Sequence, residues 1–454
     1  MSFRKFAEDT LSNMRLINTG TLRPKVFDTI FDDDNRCPDF AILSHRWGKH
    51  EVTYQNLLEG PNSDTAGYRK LSGLCEFARE RGVEWVWSDT CCIDRTNSVE
   101  LSEAINSMWS YYRKATECYA YLADLPADMH TNAEIRMLDL HGDEDHRRLS
   151  PDAIQTLAAS LWFTRLWTLQ ELLAPKHVLF LNEDWLPLAT KAIMASELSE
   201  ITGIPARYLR SPGRINEASV AMRMSWVSRR RTTRYEDMAY CLLVVFDVNM
   251  PLLYGEGKKA FMRLQLEILK KSDDTSIFAW TADEQQHGLL ALWPTAFAES
   301  GSIMHFDVED DHRLPYSMTN RGLELRLPSN SVVESEHPKG LGRPLGKPWH
   351  VGRLGPRRQR NIGVHAPVKM QVPDIQQMIR GSQLSCGVCT GGNMNDYTST
   401  ELQYLAETNT CGITLERSGS GWKRADCTRL ERWGHYIPRR ENTHTVYYVP
   451  QQGM

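Results

Sequence analysis

The sequence predicts an α/β protein: a doubly wound, largely parallel sheet, then a helical segment and a C-terminal β-rich region. Three observations predict it. Short apolar runs alternate with helix-length segments over residues 14–188, which is the signature of strand–helix–strand units. The intervening segments repeat their apolar residues at helical spacing. From about residue 275 onward, short β-forming segments are separated by Gly, Pro and charges. The expected organisation is an N-terminal arm (1–13), the α/β part (14–188), a helical segment (189–274) and the β-rich region (275–454).

The elements run in order. "DFAILSHRWG" is an apolar run closed by polar residues and Gly, so strand then loop. "GYRKLSGLCEFARERG" places Leu71, Leu74, Cys75 and Ala78 on one helical face, with Gly82 as the stop signal. "VEWVWSD" is the second strand and "TCCIDRTNS" its polar loop. "SVELSEAINSMWSYYRKA" is a helix with Ser98 as the expected N-cap, no capping box, and Glu100 favoured by the helix dipole. "ECYAYLAD" is the third strand, and the polar, acidic stretch from Pro126 to Arg148 reads as an exposed insertion. Pro151 opens another helix, which "SLWFTRLWTLQELLAP" is expected to continue until Pro175 stops it. "HVLFL" is the fourth strand. Later β-like segments are "SIFAW", "GLELRLP", "NIGVHAPVKMQV", "GITLER" and "TVYYVP", with 334–362 as a long loop.

The chain has 454 residues, 24% charged and 41% hydrophobic, with a formal net charge of −4. That balance carries no global basic field for nucleic acid, and no run reaches the ~20 apolar residues of a membrane span. With no secretory signal in the first residues and ten cysteines in so long a chain, the expected compartment is reducing cytoplasm. Cys386 and Cys389 form half of a zinc pattern without a second CxxC, so no metal site is expected and free thiols are the default. Cys91 and Cys92 read as small residues packing at a strand end.

In an open parallel sheet, ligands bind beyond the carboxyl ends of the strands, near the point where strand order switches. If the first three strands are neighbours, Ser44, Arg46, Trp47, Asp89 and Asp94 gather on that rim. Arg46 is suited to a phosphate, Trp47 to the face of a base, and Asp89 to a ribose hydroxyl or to orienting Arg46. Trp167 and Glu171 are four apart and therefore neighbours on one helical face, with Thr164 and Thr168 beside them. Two readings of Glu171 stand at this point: a solvated carboxylate at the edge of an apolar helix, or a functional group. Ser44 and His45 lack a nucleophile-elbow context, which argues against a hydrolase triad. His45 reads as a loop or hydrogen-bonded residue. "RRRTTR" at 229–234 reads as a solvated face or a partner for Glu236 and Asp237, and "LYGEGKKAF" as a turn before a helix.

Three blocks carry a resemblance: "DFAILSHRWGKHEVTYQNL", the segment from "GYRKLSGLCEF" to "CYAYLAD", and "LWFTRLWTLQELLAP". They resemble the fungal heterokaryon incompatibility (HET) domain, and "RRTTRYEDMAYCLLVVF" onward resembles the segment C-terminal to that domain in such proteins. The resemblance implies a role in nonself recognition between fusing hyphae, with regulated cell death as output. It implies an upstream sensor of the NOD-like type, although this chain shows neither P-loop nor WD repeats. More distantly, the order of "AILSHRWG", "VWSD", "CYAYLAD" and "WTLQE" resembles TIR domains, which implies a TIR/flavodoxin-like sheet. Enzymatic TIR domains cleave NAD at the nicotinamide glycosidic bond. That resemblance gives Glu171 the catalytic role, with Ser44, Arg46, Trp47, Asp89 and Trp167 around the NAD substrate and no required cofactor. Adaptor TIR domains imply the alternative, a non-enzymatic module that works by self-association through the exposed faces of helix 98–115 and loop 90–98.

Overall fold

The computed structural model describes residues 14–27, 37–60, 65–125, 151–272, 274–282 and 290–305, and beyond these only strand backbones between 317 and 449. The expected arm, the insertion after Pro126, most of the 334–362 loop, Cys386 and Cys389 lie outside the described residues. The chain divides into two compact units, residues 1–217 with 229–257, and 218–228 with 258–454.

The first unit is built on a seven-stranded mixed sheet. Its strands are β1 (Met14–Asn18), β2 (Pro24–Phe27), β3 (Phe40–His45), β4 (Trp85–Trp87), β5 (Glu117–Tyr121), β6 (Val178–Leu181) and β7 (Pro187–Thr190). They lie in the order β2-β1-β4-β3-β5-β6-β7. The four apolar runs read from the sequence form its parallel centre, β4-β3-β5-β6. The chain therefore winds one way from β3 to β4 and the other way to β5 and β6, and the switch falls beside β3. Antiparallel strands close both edges, which reduces the exposed pairing surface at the parallel centre. Every residue of β3 is buried, as a strand covered on both faces requires.

The helices between these strands are α1 (Tyr54–Glu59), α2 (Ala66–Glu80), α3 (Ser98–Lys114), α4 (Pro151–Ala158) and α5 (Thr168–Leu173). In α2 the expected stripe of Leu71, Leu74, Cys75 and Ala78 is buried, and Gly82 comes after the helix at φ 77°, the left-handed conformation that ends it. Gly67, in its first turn, leaves no room for a side chain: a Cβ there meets the His50 carbonyl oxygen at 2.1 Å and the Val52 amide at 2.9 Å. Both are backbone atoms, so Gly67→Ala is expected to cost about 1–3 kcal/mol in a denaturant melt. The N-cap of α3 is Asn97 rather than Ser98: the Asn97 side chain accepts from the Val99 and Glu100 amides. Glu100 is drawn into longer contacts, pairing with Arg15 at 2.6 Å and accepting from the Asp94 amide at 2.8 Å.

The expected continuous helix from Pro151 to Pro175 is broken. After α4 comes a short 3₁₀ turn, Leu161–Thr164, and α5 starts only at Thr168. The break is fixed from outside. Asp124, just past β5, accepts from the Ser160 hydroxyl at 2.8 Å and the Leu161 amide at 2.7 Å. On the far side, the backbones of Arg165 and Arg231 bridge. Short helices α6 (Ala195–Thr202) and α7 (Ala206–Arg210) come after the sheet.

In the second unit, α8 (Val220–Ser225) receives the Asp274 carboxylate at the Val220 amide, 2.6 Å away. After a one-turn α9 (Asp237–Tyr240) in the first unit, the long α10 (Lys259–Lys271) buries Phe261, Leu264 and Ile268. "SIFAW", expected as β-like, is a 3₁₀ turn over Thr275–Phe278 that brings Trp280 to full burial. Backbone strands beyond it include Gly322–Pro328, Asn361–His365, Asn409–Ser418 and His444–Val449.

Candidate functional site

Successive residues of a strand face opposite sides of its sheet, so Ser44 and His45 at the end of β3 serve two different environments. On the side of α5, the Ser44 hydroxyl donates to Glu171 Oε2 at 2.5 Å and accepts from Trp162 Nε1 at 2.9 Å. The Tyr112 hydroxyl donates to the Leu43 carbonyl at 2.9 Å, and burial pushes its pKa well up, with the nearby Glu171 carboxylate adding to the rise. Glu171 is only 7% exposed and Trp162 1%. Glu171 is thus neither on a polar strip nor solvated. Burial pushes its carboxyl up to about 8, the Ser44 hydrogen bond pulling down, Asp89 adding to the rise, and Arg230 and Arg165 opposing it. Near neutral pH the acid form prevails.

Several buried groups hold α5 in place. The Arg230 guanidinium donates to the Arg165 carbonyl at 2.9 Å and the Thr168 hydroxyl at 2.8 Å. Gln170 Nε2 donates to the Cys241 carbonyl at 2.6 Å. At the other end, the Lys191 ammonium donates to the Leu172 and Pro175 carbonyls, the groups a helix C-terminus leaves open. Burial lowers that amine to about 8. The basic run at 229–234 is therefore not simply a solvated face. Arg230 is buried, Arg231 bridges its backbone to the turn before α5, and Glu236 accepts from the Gly255 and Gly257 amides rather than pairing with an arginine.

Above this buried layer lies an exposed rim. Trp47 is 41% exposed, and its Nε1 donates to Asp89 Oδ2 at 2.9 Å. The Arg95 guanidinium lies 3.8 Å over the Trp47 ring, with Nη2 3.6 Å from Asp89 Oδ2. Burial raises the Asp89 carboxyl, against the pull of Arg95 and Trp47. Asp89 thus orients Trp47 and Arg95 rather than Arg46, which is simply exposed. Trp167 precedes α5 as its cap residue, with helical backbone angles. Burial raises the Asp237 carboxyl, and the Trp167 indole lies near enough to it to oppose that rise. Asp237 accepts from the Tyr254 hydroxyl at 3.1 Å and the Thr232 hydroxyl at 3.0 Å, and the Arg234 guanidinium lies 4.7 Å over the Tyr254 ring.

On the opposite side of β3, His45 is buried, and neither ring nitrogen has a hydrogen-bond partner among the described residues. Its Nε2 lies 3.7 Å from Asp89 Oδ1 and 4.0 Å from Glu51 Oε2, while Glu51 is taken by Lys70 at 2.5 Å. Burial, with Lys70 and Arg95 adding, holds the imidazole well below its usual range, so it is neutral. It lines a crevice of about 10 Å³ with Ser88, Thr90 and Cys91, room for about one water. Cys91 and Cys92 are buried free thiols, and burial pushes Cys92 well up, away from the thiolate form.

Of the sequence-selected residues, the fold joins Ser44 with Glu171 and Trp47 with Asp89, and sends Trp167 to Asp237. Sequence reasoning missed the functional placing of Trp162, Arg95, Arg230 and Lys191. Trp162, Arg95 and Arg230 each act on a partner more than 40 residues away (Ser44, Trp47 and Arg165), and Lys191 reaches 19 and 16 residues back.

Residues 40–171 match the family model described as heterokaryon incompatibility protein (HET). The match begins on the first residue of β3 and ends on Glu171 itself. Over 264 residues the chain is 41% identical to the vegetative incompatibility protein HET-E-1 of Podospora anserina, covering 57% of this chain and 18% of that protein. The chain thus spans under a fifth of that relative's length. No solved structure matches. Among the described residues, no helix is long and apolar enough to cross a membrane.

Proposed function

We propose, for a chain that carries a HET domain at residues 40–171, that it is an effector of vegetative incompatibility. In this reading its α/β unit hydrolyses the nicotinamide–ribose bond of NAD, and the consequence is cell death. One observation carries the proposal: a single carboxyl, Glu171, lies buried at the carboxyl end of the central parallel strand, beside the switch in strand order, hydrogen-bonded to the last-but-one residue of that strand. The parallel centre β4-β3-β5-β6, with its switch beside β3, supports the reading. The chemistry suits one carboxylate. Nicotinamide leaves as a neutral base with the bonding pair, so no acid is needed. The ribosyl cation left behind resembles that of glycoside hydrolysis, and water adds at its C1′ with loss of a proton. A cationic nicotinamide ring brought next to Glu171 favours the ionised carboxylate, reversing the effect of burial. At rest Trp162 seals this group, so the segment Ser160–Thr164 has to move before a ribose reaches it.

The seal itself favours a second reading, in which Glu171 only fastens α5 to β3 and the module signals by self-association. Purified full-length protein, free and as forced oligomers, is to be incubated with NAD and nicotinamide release tracked over time. Release by wild type and its loss in Glu171→Gln is the expected result. No release by wild-type oligomers overturns the enzymatic reading, and release persisting in the Gln variant overturns the residue assignment.

A further inference from the structure

We propose that Arg95 and Arg234 form a diphosphate-binding subsite on the rim of the first unit, with Asp89 and Asp237 standing in for the anion at rest. This rests on the reading that the α/β unit takes a dinucleotide. Both arginines reach the surface, and each guanidinium carbon lies over an aromatic ring, Arg95 over Trp47 at 3.8 Å and Arg234 over Tyr254 at 4.7 Å. Stacking holds the guanidinium plane while leaving its edge of N–H donors free. Those donors are unspent. Arg95 approaches Asp89 no closer than 3.6 Å, beyond hydrogen-bond length, and neither guanidinium makes a hydrogen bond among the described residues.

The two arginines are also electrostatic neighbours. The field at Arg95 is set, after its own burial, by Asp89, Tyr254, Arg234 and Asp237. Arg234 lies within electrostatic reach of Arg95, and the acid beside each is already engaged by other donors, so an anion that displaces the two carboxylates gains both guanidinium forks. Asp89 is engaged by the Trp47 indole at 2.9 Å, and Asp237 by the Tyr254 and Thr232 hydroxyls. A diphosphate offers each planar fork a pair of oxygens, which a single carboxylate does not. The exposed Trp47 face beside it suits the base of the same ligand.

The test is isothermal titration of the full-length chain with inorganic pyrophosphate, with ADP and with adenosine. Saturable binding of pyrophosphate and ADP is expected, adenosine being weaker. Arg95→Gln and Arg234→Gln are each expected to weaken pyrophosphate roughly tenfold, with thermal melts shifted little, since each side chain is at the surface and stacked on one ring. Arg214→Gln, which removes a distant exposed charge paired to Glu217, is the control for bulk charge. Asp89→Asn frees Arg95 of its resting partner and is expected to tighten binding. The subsite is overturned if pyrophosphate shows no saturation, if both arginine variants bind as wild type, or if Arg214→Gln loses as much. The readout needs no catalysis, so the two proposals fail separately. Arginine-dependent binding without nicotinamide release leaves the subsite standing and removes the hydrolysis. Nicotinamide release with an unaltered KM in Arg95→Gln and Arg234→Gln does the reverse.

Discussion

Glu171→Gln raises the melting temperature at pH 8 and changes it little at pH 5. The folded protein holds this carboxyl at about 8, whereas an unfolded glutamate ionises near ~4.3. Between those values the folded state binds the extra proton, so stability is full at the acid end and falls as pH rises through the window. Gln copies the protonated side chain in shape and neutrality, accepts from the Ser44 hydroxyl, and does not ionise. The gain at alkaline pH is on the order of 2–4 kcal/mol, or roughly 5–10 °C, shrinking to about 1 kcal/mol or less at pH 5. Parallel melts of both proteins at several pH values check it. A solvated carboxylate gives no such difference, so a flat comparison overturns the buried, neutral description. A residue whose loss stabilises the fold is one retained for something other than stability.

Trp162→Ala destabilises by about 3–5 kcal/mol, the range for emptying a buried tryptophan site. The indole is 1% exposed and packs edge-on against Phe163 at 5.0 Å and Phe180 at 5.8 Å, so a cavity opens in a dense aromatic cluster. Its removal also takes the donor from Ser44 and admits water to Glu171, whose carboxyl then returns toward its ordinary range. In the double variant, Gln at 171 no longer stabilises at pH 8, and the cycle shows a coupling of about 1–3 kcal/mol. Trp162→Phe keeps the packing and loses only the N–H, so it carries the same cycle if the alanine variant does not fold. Additive effects of the two changes mean that Trp162 does not seal Glu171.

The parallel centre of the sheet was legible because its strands are apolar runs set in order along the chain. Leu71 to Ala78 announced their helix because period and burial agree there. What the sequence concealed was decided by partners far along it. No Gly or Pro marks the break between α4 and α5. Asp124 and Arg231 impose it, and with it α5 starts afresh at its cap residue Trp167 instead of continuing from Pro151. Glu171 looked like an edge residue because periodicity reports which face a side chain takes, not what arrives to cover it. Ser44, 127 residues earlier, takes its carboxyl, and Trp162 in turn takes the Ser44 hydroxyl. Asn97 rather than Ser98 caps α3, a displacement of a single residue at a boundary where both types serve.

The hydrogen bond between Ser44 and Glu171 has a bearing on how β3 finds its alignment. Phe40, Ala41, Ile42 and Leu43 are apolar on both faces of the strand and all buried. Sliding β3 by one residue between β4 and β5 exchanges one oily face for another, so hydrophobicity discriminates poorly between the two alignments. The polar pair at its end does discriminate. A one-step slip turns the imidazole of His45 toward α5 and Trp162, and takes the serine hydroxyl away from a buried acid left without its partner. The carboxyl that costs the fold stability thus also serves as the index mark by which its central strand is set.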